Sequence, residues 1–169
     1  GPSGTTPTSS ATVLPVDTIT TADIRNAVVT LRTNKALPRI GELYAAYVHP
    51  RQAADLRAES GTGGFQELTK YVERTSFVAG AVGALEGAYI VETPRVPSET
   101  NASSVVVYKA VVAGREALAE ALAQDTSVVI GPEIDALRRF RTIGWYLFGG
   151  WNRLREASLF RIETATTIN

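Results

Sequence analysis

The sequence predicts an α/β or α+β domain built around a central β-sheet. Three observations carry that expectation. Ile24, Ala27, Val28 and Leu31 recur at i, i+3, i+4 and i+7, which places one apolar stripe along a helix. Short runs rich in β-branched and aromatic residues, Ala88-Tyr89-Ile90-Val91-Glu92-Thr93 and Val105-Val106-Val107-Tyr108, have the composition of strands. Helical and extended segments are intermixed along the whole chain, and no internal repeat is present, so the elements are expected to share one sheet.

Each element can be justified in order. Residues 1–18, rich in Gly, Pro, Ser and Thr, are expected to be a flexible lead-in with little to pack. Thr20 and Asp23 form a capping-box-like start for the first helix, with a carboxylate at its positive end. Asn34 and Pro38 end it. Residues 43–48 are mostly apolar and read as a short buried strand. His49-Pro50 opens a second helix to about residue 58, since Pro is tolerated at the first helical position, where no N–H is needed. Gly61-Thr62-Gly63-Gly64 breaks it, and 65–71 reads as a brief helical segment. Residues 76–87 read as turns or an irregular strand, 88–93 as a strand, and 94–104 as a polar loop. The strand starting at Val105 is followed by a short helix over 115–122 and a strand over 126–130 closed by Gly131-Pro132. From Arg138 to Ile162 arginines and large apolar residues interleave, with Gly149-Gly150 as a bend or hinge between two strands.

Composition narrows the function. The 169 residues, 44 % apolar and 20 % charged, can bury a core of domain size. Seventeen basic residues balance seventeen acidic ones. A dedicated nucleic-acid binder carries a basic excess, so that class is disfavoured. Neutrality favours self-association, because little net repulsion separates copies. The chain has no cysteine, which excludes disulfides, thiolate metal sites and cysteine nucleophiles. No apolar run reaches the roughly 18 residues of a spanning helix. The chain also has no methionine, so position 1 is not a translation start and the sequence is expected to be a piece of something longer.

No chemical motif is convincing. His49 is the lone histidine, without a second His or any Cys to share a metal, and reads as a helix cap. Gly61-x-Gly-Gly lacks the Gly-Lys-Ser/Thr of a phosphate loop. Asn101-Ala102-Ser103 fits the glycosylation pattern but reads as plain loop. Glu92 with Glu99, or Glu116 with Glu120, could be imagined as acid and base, but nothing marks them as buried. No catalytic residue, cofactor site or metal site is expected. The arginines Arg138, Arg139, Arg141, Arg153, Arg155 and Arg161 are interleaved with Glu133, Asp135, Glu156 and Glu163, which weakens a phosphate-tracking stripe. Arginine and aromatic residues are the usual hot spots of protein interfaces. Arg138, Arg141, Trp145, Tyr146, Trp151, Arg153 and Arg155 are therefore the candidate subunit interface, with ordinary core packing an equal reading for the rings.

A succession of individually weak motifs also resembles a known family. Tyr47-Val48-His49-Pro50-Arg51-Gln52-Ala53-Ala54-Asp55-Leu56-Arg57 is similar to a strand, "HP" turn and helix of tailed-phage major capsid proteins. Gly63-Gly64-Phe65, Tyr71, the stretch from Gly80 through Gly83-Ala84-Leu85-Glu86-Gly87, and Tyr89 to Thr93 follow in the same order. Gly144-Trp145-Tyr146 and Gly149-Gly150-Trp151-Asn152-Arg153-Leu154-Arg155-Glu156-Ala157-Ser158-Leu159 resemble the closing segment, nearest to the podophage major coat protein family. The resemblance spans roughly residues 20–168. It implies an α+β fold, the Hong Kong phage or Johnson fold, with residues 19–135 as the axial domain and 136–169 as long strands of the peripheral domain. The spine helix, extended loop and N-terminal arm of that family have no counterpart in the sequence.

The function implied is structural: self-assembly into hexamers and pentamers of an icosahedral shell around double-stranded DNA, which is gripped only weakly and non-specifically. The partner is the chain itself, without cofactor or membrane, and the location is the virion, assembled in the host cytoplasm. Two other classes compete: an encapsulin-like nanocompartment shell, and a small α/β enzyme or ligand-binding domain with a site among loops 60–64 and 94–104.

Overall fold

The structure, a computed structural model, describes residues 10–59 and 81–168. The phosphate-loop-like glycines, the helical segment at 65–71 and the first part of 76–87 lie outside the described residues. Two compact units are present: residues 1–117 with 155–169, and residues 118–154. The boundary expected at 135/136 is not where the chain divides, because the strands on either side of that position pair with each other.

The first unit is α+β. Its sheet runs in the order β2 (Ala81–Leu85), β3 (Ala88–Glu92), β1 (Tyr44–Val48), β5 (Val106–Ala113), β4 (Ser98–Thr100), with β8 (Leu159–Thr164) on the other edge of β5. β1 and β3 are parallel and the other pairs antiparallel. The β2–β3 hairpin closes with Glu86 and Gly87 at φ +50° and +83°, the two left-handed residues that suit a tight hairpin turn.

Helix α1 (Thr21–Thr33) starts as its sequence indicates. Thr20 Oγ1 accepts the Asp23 N–H, and Asp23 Oδ2 accepts the Thr20 N–H at 2.9 Å. Glu59, far along the chain, adds a cap by accepting the Thr21 N–H at 2.8 Å. Ile24, Ala27, Val28 and Leu31 are all buried. They join Leu56 of α2 (Pro50–Ala58) and Tyr44, Ala46, Val48, Ile90 and Val112 of the sheet in one core. Each such large apolar side chain stabilises the fold by about 1.5–3 kcal/mol. Tyr44 is buried whole because its hydroxyl donates to the Ala36 carbonyl at 2.7 Å. His49 caps α2: its Nδ1 accepts the Arg51 N–H at 3.2 Å, while Gln52 Oε1 accepts the His49 N–H at 3.1 Å.

Several sequence expectations are corrected. Part of the lead-in packs: Val13 is buried beside Val107 and Ala165, and Thr18 bridges to Ala165. Asn101, in the supposed plain loop, donates through Nδ2 to the carbonyls of Ser10 and Val13, tying that segment down. The loop 94–104 contains the short strand β4. Residues 115–122 do not form a helix. Glu116 has φ +62°, which ends any helical run, and from Leu118 the chain is strand β6 (Leu118–Glu133). Leu159–Thr164 belongs to the sheet of the first unit and does not accompany the other long strands.

The second unit is a two-stranded antiparallel ribbon of β6 (Leu118–Glu133) and β7 (Arg141–Arg153). Gly131-Pro132 does not close the strand, and Gly149-Gly150 is not a turn. Both lie inside strands that stay paired, with Gly149 opposite Leu122 and Gly150 opposite Ala121. The register shifts between Leu122 and Ser127 and again between Ile130 and Glu133, where β6 carries extra residues.

Candidate assembly surface

Residues directly opposite in an antiparallel pair share a face, and successive residues of a strand alternate. The register therefore sorts the ribbon's side chains. One face carries Ile143, Trp145, Leu147 and Trp151 from β7 with Leu118, Leu122, Val128 and Ile130 from β6. The other carries Thr142, Gly144, Tyr146, Phe148, Gly150 and Asn152 with Ala119, Ala121, Gln124, Ser127 and Val129. The first is apolar and large, the second mostly small or polar. The bulges in β6 bring Val128 and Ile130 back to the tryptophan face after the interruption at Gln124.

Nothing within the ribbon covers this apolar face. Ile143, Trp145 and Trp151 are 72 %, 73 % and 68 % exposed. A ribbon of two strands has no interior, and isolated hairpins are marginally stable in water. Exposed apolar patches of this kind are uncommon on monomers, which makes this face the candidate contact surface.

Of the seven candidate interface residues, Arg141, Trp145, Trp151 and Arg153 stand on this one face. Tyr146 faces the other way, where its hydroxyl accepts from Gln124 Nε2 at 3.0 Å. Arg138 lies in the turn between the strands, 3.3 Å from Glu133. Arg155 belongs to the first unit, before a short 3-10 turn at Glu156–Ser158. The sequence reading missed Ile143, Leu147, Val128 and Ile130 as members of the surface. Strict alternation in β7 was the available signal.

Charges on the ribbon are largely met within the chain. Glu133 takes ion pairs from Arg138 and Arg141, and Asp135 takes one from Arg139 at 2.8 Å. The imagined acid–base carboxylates are also ion-pair partners. Arg57 lies 2.6 Å from Glu92, and Lys109, 2.7 Å from Glu99, holds that carboxyl below the ordinary range. Glu116 and Glu120 do not share a helix face: Glu116 sits in a left-handed turn and Glu120 in β6. Burial, with Arg51 beside it, lowers the pKa of His49. Among the described residues no cluster of His, Asp and Glu is placed to hold a metal, and no helix is long and apolar enough to cross a membrane.

The comparisons with known proteins agree with this picture. Two phage capsids are among the solved structures that share the fold. The capsid of Ralstonia phage GP4 superposes with a TM-score of 0.70 at 17 % identity, over 94 % of this chain and 50 % of that one. The cyanophage Pam1 capsid asymmetric unit gives 0.65 at 14 % identity, over 91 % of this chain and 50 % of that one. The chain thus spans about half the length of the capsid chains it matches. No curated protein sequence matches it. The family model described as phage capsid protein matches residues 16–168, nearly the whole sequence. With an α+β sheet domain and a family match of that extent, the chain belongs to the phage capsid protein family.

Proposed function

We propose that the chain is a structural subunit of an icosahedral phage capsid, which associates with further copies into hexamers and pentamers and encloses double-stranded DNA. The observation that carries this reading is the ribbon. A face holding two tryptophans and six further large apolar residues, uncovered by the ribbon itself, needs a covering surface. The remainder of a capsid chain twice this length and the neighbouring subunits of a shell together supply one, and contacts between subunits, each weak, add up by repetition. In this reading the first unit is the axial-type domain and the ribbon supplies the peripheral strands. Arg138, Arg141, Trp145, Tyr146, Trp151, Arg153 and Arg155 lie at or beside subunit contacts. The subunit acts by association and not by catalysis. Packaged DNA is touched weakly, which fits equal numbers of basic and acidic residues and arginines engaged by carboxylates. The place of action is the virion, with assembly in the host cytoplasm.

The experiment is electron microscopy of the assembled material from a capsid subunit carrying this sequence, with nuclease-protected DNA assayed in the same fractions. Closed shells containing DNA are expected. Shells filled with protein cargo and no DNA would point instead to a nanocompartment, and a soluble monomer at high concentration would refute the assembly reading.

A further inference from the structure

The approach to β6 and β6 itself contain two runs of opposite conformational preference. Arg115-Glu116-Ala117-Leu118-Ala119-Glu120-Ala121-Leu122-Ala123-Gln124 consists of good helix formers throughout, with no β-branched or aromatic residue. Alanine and glutamate are depleted in strands. Thr126-Ser127-Val128-Val129-Ile130, further along, has the ordinary composition of a strand. The first break in register falls where the helix-forming run ends, between Leu122 and Gln124. The facing residues of β7 differ in the same way. Val128, Val129 and Ile130 lie opposite Trp145, Gly144 and Ile143, whereas Leu118 to Leu122 lie opposite Arg153, Asn152, Trp151, Gly150 and Gly149. Two glycines and an asparagine give the helix-forming run little cross-strand packing.

From this conflict between local preference and observed conformation we propose that residues 115–124 are a helix–strand switch, extended while β7 lies alongside and helical when β7 is withdrawn. The proposal goes beyond the assembly reading and does not depend on it. Glu116 holds φ +62° in the extended form, a left-handed conformation that is costly for a residue with a Cβ, and a helix returns it to the right-handed region. Leu118 and Leu122 are four apart, so they share one face under the period of a strand and under that of a helix. The anchor of the segment is compatible with both forms. Gly114 N–H donates to the Ser158 carbonyl at 2.8 Å, and Arg115 N–H to the Leu37 carbonyl at 2.7 Å. With Gly114 as the N-cap, Arg115 is the first helical residue, whose N–H has no partner inside the helix, so its bond to Leu37 is kept. Glu116 then sits in the first turn, where the helix dipole favours a carboxylate. A free helix of about ten residues is marginal in water, and this fixed start offsets part of the nucleation cost. Glu116 and Glu120, one turn apart and of like charge, oppose the helix weakly and leave the strand preferred while β7 is present. Withdrawal of β7 then leaves no long run of unpaired backbone, because cross-strand bonds are exchanged for bonds within the segment.

The absence of cysteine makes a clean test possible. Ala119→Cys and Ala123→Cys are introduced together into a capsid subunit carrying this sequence and no other cysteine, and both thiols are spin-labelled. Their Cα atoms stand about 13 Å apart in a strand and about 6 Å apart in a helix, and the dipolar broadening of the nitroxide spectrum separates the two. The pairing is then opened from the other strand by Gly149→Pro with Gly150→Pro. Each proline removes an N–H, and of two successive strand residues one N–H points towards β6. The labels are expected at the strand distance in the parent and at the helix distance, with strong broadening, in the opened variant. Adding Ala121→Gly, which lowers helix preference in the middle of the run, is expected to reduce that broadening. Labels in the opened variant that stay at the strand distance, or that become mobile without approaching each other, overturn the switch. Both of those results leave the capsid reading intact, since particle formation by the unlabelled parent tests it separately.

Discussion

Leu122 and Gly149 face each other across the ribbon so closely that a Cβ added to Gly149 would fall 2.7 Å from Leu122 Cδ2 and 3.0 Å from the Ala121 carbonyl oxygen. Gly150, the next residue, has nothing within 4 Å of the same construction. The two glycines therefore differ in kind. Gly149 is required by close approach of the neighbouring strand, while Gly150 is spare. Gly149→Val is expected to loosen the ribbon by about 1–3 kcal/mol through overpacking. Gly150→Val is expected to leave it unchanged or firmer, since valine suits a strand. Hydrogen exchange of the β6 and β7 amides distinguishes them: faster exchange in the first variant, equal or slower in the second.

Gln52 is a fully buried polar side chain that joins three elements of the first unit. Its Nε2 donates to Thr164 Oγ1 at 2.7 Å and reaches the Tyr108 carbonyl at 3.5 Å, while its Oε1 accepts the His49 N–H. Replacing Gln52 with Leu strands these buried groups without partners. The expected cost is about 2–3 kcal/mol, since each unsatisfied buried polar group costs about 1–3 kcal/mol. A thermal melt followed by circular dichroism should show the loss, whereas an unchanged midpoint would remove Gln52 from the account.

His49 gives the first unit a pH dependence of defined sign. Its neutral Nδ1 accepts the Arg51 N–H, and protonation converts that acceptor to a donor. Burial first, then Arg51, lowers its folded pKa below the ordinary histidine value of 6.5, with Glu92 opposing. The unfolded chain then binds more protons than the folded one in the window beneath 6.5. Stability is therefore complete above that value and falls as pH drops through the window. His49→Asn keeps a capping side chain and removes the titration. Denaturant melts at neutral and mildly acidic pH should show a steeper loss in the parent than in this variant.

Asn101 holds the segment before α1 through two carbonyls, Ser10 and Val13, and accepts the Ser103 and Val105 N–H groups on its Oδ1 at 3.0 Å. Asn101→Ala is expected to release residues 10–13 and expose Val13, at about 1–3 kcal/mol for the stranded groups. Limited proteolysis should then cut near Val13 under conditions where the parent is intact.

How far the sequence was legible follows from how local each signal is. The apolar stripe of α1, the Thr20–Asp23 box and the His49-Pro50 start of α2 depend on neighbours within one turn, and each stands where the residues put it. The ribbon depends on residues far apart. Leu118-Ala119-Glu120-Ala121-Leu122-Ala123 has the intrinsic preference of a helix, yet it is a strand because residues 149–153 lie across from it. Gly149-Gly150 looked like a break because the sequence does not show that Leu122 fills the space beside it. Likewise the arginine and tryptophan cluster was visible as composition. Its division into two faces needed the register, which the bulges at 122–127 and 130–133 conceal from any simple period.

The most direct test of the central claim is sedimentation velocity on a capsid subunit carrying this sequence, with and without the double substitution Trp145→Ala and Trp151→Ala. Tryptophans buried at a subunit interface contribute about 2 kcal/mol or more each when truncated. Megadalton particles are expected from the parent and only small, folded species from the double variant, with its circular dichroism spectrum retained. Particles of parental size from the double variant would contradict the assignment of the ribbon as the surface that builds the shell.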